Sequence, residues 1–167
     1  MDHMFRITML VGCSLEQASR ESATSFYDLL LALNTDVIRA VNCMQLSDGS
    51  HRVGLELESV APEFGIPRKT LALTVHRTDA DGAVTYHGSS PPDDEDGRTC
   101  SMGRSTEVMV CRSSCLTLTR TAADVTAVEY VFDIDFSEEL PIFMENVPGL
   151  LMKKVFVRLK NYLDNTA

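Results

Sequence analysis

The chain has 167 residues, 44% of them hydrophobic and 23% charged, which fits one globular domain with a sizeable core. Its 15 Lys and Arg against 24 Asp and Glu give a formal net charge of −9. That balance argues against a nucleic-acid partner, and against an anionic membrane surface except where cations gather locally. No apolar run approaches the roughly 20 residues of a membrane-spanning helix, so integral membrane association is not expected.

The N-terminus, MDHMFRITMLVGCS, lacks the basic start of a signal peptide. Asp2 and His3 could precede a natural start at Met4. The five cysteines (Cys13, Cys43, Cys100, Cys111 and Cys115) lack close regular spacing. Without an export signal, free thiols in a reducing cytoplasm are the simplest expectation.

Residues 4–12 alternate as a strand, with Phe5, Ile7, Met9 and Val11 on one face. Ser14-Leu-Glu-Gln17 matches a capping box, and Ser19 or Ser22 could cap a second helix carrying Phe26, Leu29, Leu30 and Leu33 on one side. Asn34-Thr35-Asp36 interrupts that pattern and offers another N-cap. Val37, Ile38 and Val41 make a further short helix plausible.

From Asn42 the texture changes. Asp48-Gly49 signals a turn, and Val53 to Glu58 alternates as a half-buried strand. Arg68 to Arg77 alternates through Leu71, Leu73 and Val75, then Asp81-Gly82 makes a tight turn into 83–87, the best hairpin in the chain. Ser89 to Ser105, SSPPDDEDGRTCSMGRS, reads as a solvated acidic loop rather than an interdomain linker, because neither side alone has the elements of a complete domain.

Two long strands follow, 106–121 and 125–136. In the second, Val128, Tyr130, Phe132, Ile134 and Phe136 share one face, and Glu129, Asp133 and Asp135 the other. Ser137 offers an N-cap with Glu138 and Glu139 in the first turn; Pro141 is tolerated early, and Pro148 should kink or restart the helix. The last segment, PGLLMKKVFVRLKNYLDN, carries Leu151, Met152, Val155, Phe156, Leu159, Tyr162 and Leu163 on one broad stripe. Lys153, Lys154, Arg158 and Lys160 occupy the rest. A membrane-surface helix is one reading of such a pattern. Packing on the protein's own core is preferred, since cations near a helix C-terminus also complement its dipole.

This order predicts an α+β fold: a curved antiparallel sheet of about six or seven strands, two short N-terminal helices, and a long C-terminal helix covering the apolar face. One domain spanning 4–165 is expected, with 89–105 as an insertion.

The chemistry-bearing residues are sparse. Cys111 and Cys115 in an extended strand would share one face about 13 Å apart, too far for one bridge or one metal, so no metal site is expected. His76 and His87 flank the Asp81-Gly82 turn as possible cross-strand neighbours, with His76 out of phase with the apolar face. The acidic run 93–96 lacks the spacing of a calcium loop. No nucleophile elbow, Walker loop or dinucleotide glycine motif is present, and no cofactor is expected. Tyr130 lies on an apolar face, where its hydroxyl needs a partner or a ligand.

The element order, most specifically Val125 to Asp164 with VFDIDFSEELPIF running into PGLLMKKVFVRLKNYLDN, resembles the helix-grip superfamily of START domains, polyketide cyclase-like proteins and the birch-pollen allergen (SRPBCC). The resemblance implies a cavity between sheet and terminal helix that takes a small apolar or amphipathic ligand, lined here by Val128, Tyr130, Phe132, Met152 and Phe156. It equally admits an enzyme of the cyclase, dehydratase or hydrolase type using Tyr130 or a histidine as acid or base. A third possibility is a purely protein-binding module.

Overall fold

The computed structural model describes residues 2–19, 23–59, 62–91, 106–135 and 147–165. In chain order the elements are β1 (Asp2–Val11), α1 (Leu15–Ser19), α2 (Ala23–Leu33), β2 (Ile38–Gln45), β3 (His51–Leu57), a 3-10 turn (Pro62–Phe64), β4 (Arg68–Ala80), β5 (Ala83–Ser89), β6 (Thr106–Ala122), β7 (Val125–Asp135) and α3 (Val147–Asn165). The strands form one seven-stranded sheet in the order β1-β7-β6-β5-β4-β3-β2. Neighbours in that order are antiparallel; beyond the end of β5, β4 and β6 close up in a short parallel pairing, 68–71 with 106–109.

The first two strands sit at opposite edges, so the segment holding α1 and α2 must carry the chain from one edge to the other. It starts as the capping box requires. The Gln17 amide donates to Ser14 Oγ at 3.2 Å, and the Ser14 amide donates to Gln17 Oε1 at 3.2 Å. Of the two candidates for the second cap, Ser19 is the buried last residue of α1, and Ser22 lies outside the described residues. At the far end, Asn34 does not start a helix. Its Nδ2 donates back to the Leu30 carbonyl at 2.9 Å, closing α2, and Ile38 onward is strand β2 rather than the short helix expected. Pairing with β3 satisfies the β2 backbone groups that face it and places Ile38 in the core, which a single helical turn at a sheet edge would not do.

Both turn signals close hairpins, Asp48-Gly49 between β2 and β3 and Asp81-Gly82 between β4 and β5, with Gly49 at φ 87° and Gly82 at φ 75°. These left-handed angles favour glycine. The strand expected from Met4 begins at Asp2, whose backbone pairs with Asp135. The acidic run 93–96, Phe136 and the Ser137 cap lie outside the described residues.

The terminal stripe behaves as its spacing predicts. Val155, Phe156, Leu159 and Leu163 are buried, and Pro148 falls in the first turn of α3, where its missing N–H costs nothing. Polar clasps fix the helix lengthwise. Lys154 Nζ donates to Asp36 at 2.7 Å, and Arg158 grips both oxygens of the same carboxylate. Farther along, Lys160 donates to the Leu10 carbonyl at 2.8 Å, and the Gly12 amide donates to Asp164 Oδ1 at 2.6 Å. The described cysteines (Cys13, Cys43, Cys111, Cys115) form no disulfide with one another. Among the described residues, no helix is long and apolar enough to cross a membrane.

Two outcomes follow. Leu159→Ala, at a position 2% exposed, should cost about 2–5 kcal/mol in urea unfolding. Val157→Ala, at a position 45% exposed on the same helix, should cost less than about 0.5 kcal/mol. The Arg158 and Lys154 hydrogen bonds hold the Asp36 carboxyl well below the usual carboxylate range. Because the folded value is the depressed one, the clasp contributes above the unfolded value of about 3.9 and is lost only as pH falls through the folded value. In an NMR titration Asp36 should still be ionised near about pH 3, and Arg158→Ala should raise its midpoint toward the ordinary value.

Candidate ligand-binding cavity

Between α2, α3 and the inner face of the sheet the side chains leave a cavity of about 160 Å³. Its walls are almost wholly carbon. From β3 and β4 come Leu55, Leu57, Leu71, Leu73 and Val75, and from β6 and β7 Met109, Leu116, Phe132 and Ile134. The helices add Phe26, Leu30, Leu151, Met152, Val155 and Phe156.

Period-two alternation supplies most of the inward set, with one correction that matters for chemistry. Register shifts between Cys111 and Ser113, so Cys111 lies opposite Ile134 while Cys115 lies opposite Val131. The two thiols therefore sit on opposite faces, not on one face as unbroken alternation predicts. Cys111 is buried, whereas Cys115 lies on the outer face near the Thr117 hydroxyl. The physical reason is Arg112. Counting back from Leu116 and Ser114, strict alternation would turn its guanidinium into the apolar interior, at a large desolvation cost. The bulge leaves it outside instead, 3.3 Å from Asp135, and brings Met109 and Cys111 inward.

Of the five residues expected on the wall, Tyr130, Phe132, Met152 and Phe156 line the cavity. Three of them belong to a run of stacked rings. Phe5 meets Phe132 at 5.0 Å between centroids, Phe132 meets Tyr130 at 4.9 Å, and Tyr130 meets Phe156 at 5.1 Å. Val128, two residues before Tyr130 on the same face, is buried in the core and is not part of the wall.

The polar groups on the wall are few. Tyr86 donates to the Ser19 carbonyl at 2.6 Å, accepts from Arg77 at 3.1 Å and stacks on Phe26 at 5.6 Å, so it ties the end of α1 to the sheet. The Ser114 hydroxyl donates to the Gly88 carbonyl at 3.2 Å. Gly88 stands opposite both Val75 and Ser114, and a Cβ there would come within 2.7 Å of Ser114 Oγ. A small residue at 88 thus leaves room for the serine. Glu58 lies at the edge, with 36% of its side chain exposed and Arg68 3.7 Å away.

Tyr27, on α2, is a wall residue that the sequence pattern had not singled out. It is half-buried. Burial pushes its phenol well above the ordinary range, and nearby Tyr130, Cys43, Cys111 and Tyr86 push the same way. Burial likewise raises Tyr130, with Cys111 adding to the shift and Ser114 partly offsetting it. Both phenols are therefore protonated donors at neutral pH, unsuited to act as bases. His76 and His87 are cross-strand partners, exposed on the outer face and remote from the cavity. Among the described residues, no group of three or more His, Cys, Asp or Glu side chains could hold a metal.

No family model matches the chain, and no curated protein matches it. Solved structures do. The lipid transfer and protein localization domain of human StarD13 (DLC2) superposes with a TM-score of 0.71 at 14% identity, over 96% of this chain and 76% of that one. Human StAR-related lipid transfer protein 5 gives 0.69 at 14%, over 97% and 74%. A START superfamily protein from Mycobacterium smegmatis gives 0.64 at 14%, over 99% of each chain. The chain has the START-like helix-grip fold.

Gly88→Ala should destabilise the protein by about 1–3 kcal/mol through overpacking against Ser114. Combining it with Ser114→Ala should recover much of that loss in the same urea titration. A loss unchanged in the double variant would mean that Ser114 is not the obstacle.

Proposed function

We propose that this chain binds a small hydrophobic or amphipathic molecule between its sheet and terminal helix, and that Tyr130, Phe132, Met152 and Phe156 are part of the contact surface. The carrying observation is the cavity itself, walled by carbon, with its few polar groups buried and uncharged apart from the edge. Affinity would come mainly from removing apolar ligand surface from water, at about 0.8 kcal/mol per buried CH₂. The volume of about 160 Å³ is below the roughly 300 Å³ typical of pockets for drug-sized ligands. A compact molecule of one or two rings fits this closed form. The lipid-transfer descriptions of the two human structures of the same fold support the reading.

An enzyme on the same scaffold needs a base beside a second titratable group inside the cavity. The phenols stay protonated, the described histidines do not line the cavity, and the Glu58 carboxylate is at the edge. Those observations favour binding over turnover. A purely protein-binding module expects a collapsed interior, and the cavity speaks against it.

Titration with naphthalene, followed by NMR, should shift resonances of cavity residues and raise the melting temperature with ligand concentration. Leu55→Trp, which grows into the cavity, should abolish the shifts while keeping the folded spectrum. Naphthalene shifts confined to the outer face, or unaffected in Leu55→Trp, would overturn the proposal.

A further inference from the structure

The cavity's polar groups can be accounted for one at a time. Tyr86 and Ser114 spend their hydroxyl protons on the Ser19 and Gly88 carbonyls. Tyr130 has the Ser114 hydroxyl as an electrostatic neighbour. Tyr27 is different: it lines the cavity, is half-buried, and no hydrogen bond joins its hydroxyl to a described residue. A hydroxyl that bonds to none of the described residues keeps its proton available for a partner that arrives with the ligand.

We propose that Tyr27 is the polar pole of the cavity, and that its ligand is an uncharged molecule with an apolar body and one oxygen that accepts the Tyr27 hydrogen bond. A ketone, ester, ether or alcohol meets that description. This inference rests on the cavity-binding reading and narrows its ligand class.

The electrostatics favour neutrality. The groups nearest Tyr27 in electrostatic effect are Tyr130, Cys43, Cys111 and Tyr86, all acids that are uncharged while protonated. No cation is among them, so an ionised carboxylate or phosphate beside Tyr27 would face neutral groups, with Lys69 the one cation on the described wall. Arg112 is turned outward by the bulge, and Arg77 is engaged by Asp79 at 2.7 Å and by Tyr86. The charged groups on the wall are Glu58, just after β3 and 3.7 Å from Arg68, and Lys69, at the start of β4.

Three matched probes test this: ethylbenzene, acetophenone and benzoate, titrated by NMR into the wild-type protein and Tyr27→Phe. In a purely apolar cavity the hydrocarbon outcompetes the ketone, whose carbonyl loses its hydration. The proposal expects acetophenone to bind wild type at least as tightly as ethylbenzene. In Tyr27→Phe the ketone should weaken roughly three- to tenfold, the worth of one neutral hydrogen bond. Ethylbenzene should bind both proteins alike, and benzoate neither. The ligand-free melting temperature of Tyr27→Phe should not fall, since a hydroxyl with a structural role would lower it. An equal preference for ethylbenzene in both proteins overturns the polar pole while leaving the cavity reading intact. Tight benzoate binding overturns the neutral-ligand claim. Failure of all three probes to bind overturns both readings.

Discussion

The fold depends on one contact above the others, the seating of the α3 stripe on the inner face of β7 and β1. It is aromatic at its centre. The Phe5, Phe132, Tyr130 and Phe156 rings follow one another at centroid spacings of 4.9–5.1 Å, joining first strand, last strand and last helix. Stacked rings of this kind add directional preference to the area they bury, so they fix where the helix lies as well as that it lies there. The middle and the C-terminal end of α3 are then held by different means. Arg158 and Lys154 reach the Asp36 turn after α2, while Lys160 and Asp164 reach the end of β1. With the helix pinned in this way, its first turns and α2 stand off the sheet enough to leave a cavity between them.

What that cavity can do follows from how the chain keeps charge out of it. A thirteen-residue strand and a seventeen-residue strand supply much of the wall, and a strand that long rarely keeps every charged residue in phase. In β6 the conflict falls at Arg112 and is resolved by a register shift. In β4 it falls at Arg77, which is kept on the inner side but bound to Asp79 and the Tyr86 hydroxyl. One arginine is expelled and the other neutralised. The interior is left with neutral hydroxyls and thiols, whose raised proton affinities follow from the same absence of solvent.

Much of this architecture was legible because long, strongly periodic segments leave little freedom. The β7 alternation places Tyr130 and Phe132 inward, and the α3 stripe places Val155, Phe156 and Leu159 against them, as read from spacing alone. The failures are local. Val37, Ile38 and Val41 fit a helical turn as well as an edge strand, and only the long-range partner β3 decides between them. In β6, apolar residues occupy both phases (Val108 and Val110 on one, Met109 and Cys111 on the other), so alternation could not reveal the bulge. Arg112 in the inward phase was the available signal. Val128 shows a further limit: alternation gives the inward face but not which part of it the helix covers and which part it leaves open. Tyr27 was missed because Phe26, Leu29, Leu30 and Leu33 account for the α2 stripe, and a polar-tipped ring at its margin reads as an ordinary flank.

The cavity also has to be reconciled with stability. At about 24 cal/mol per Å³, leaving 160 Å³ between side chains rather than filling it corresponds to on the order of 4 kcal/mol. That is a large share of the 5–15 kcal/mol by which a typical domain is stable. A larger side chain at Leu55 would fill part of the space, whereas Gly88, which faces Ser114, has no room even for a Cβ. A guest of the proposed kind would offset part of that cost by filling the space. Neutral, protonated hydroxyls on an otherwise apolar wall make the same point chemically. They are poor at moving protons and able to donate a hydrogen bond, which is what the proposed binding would use.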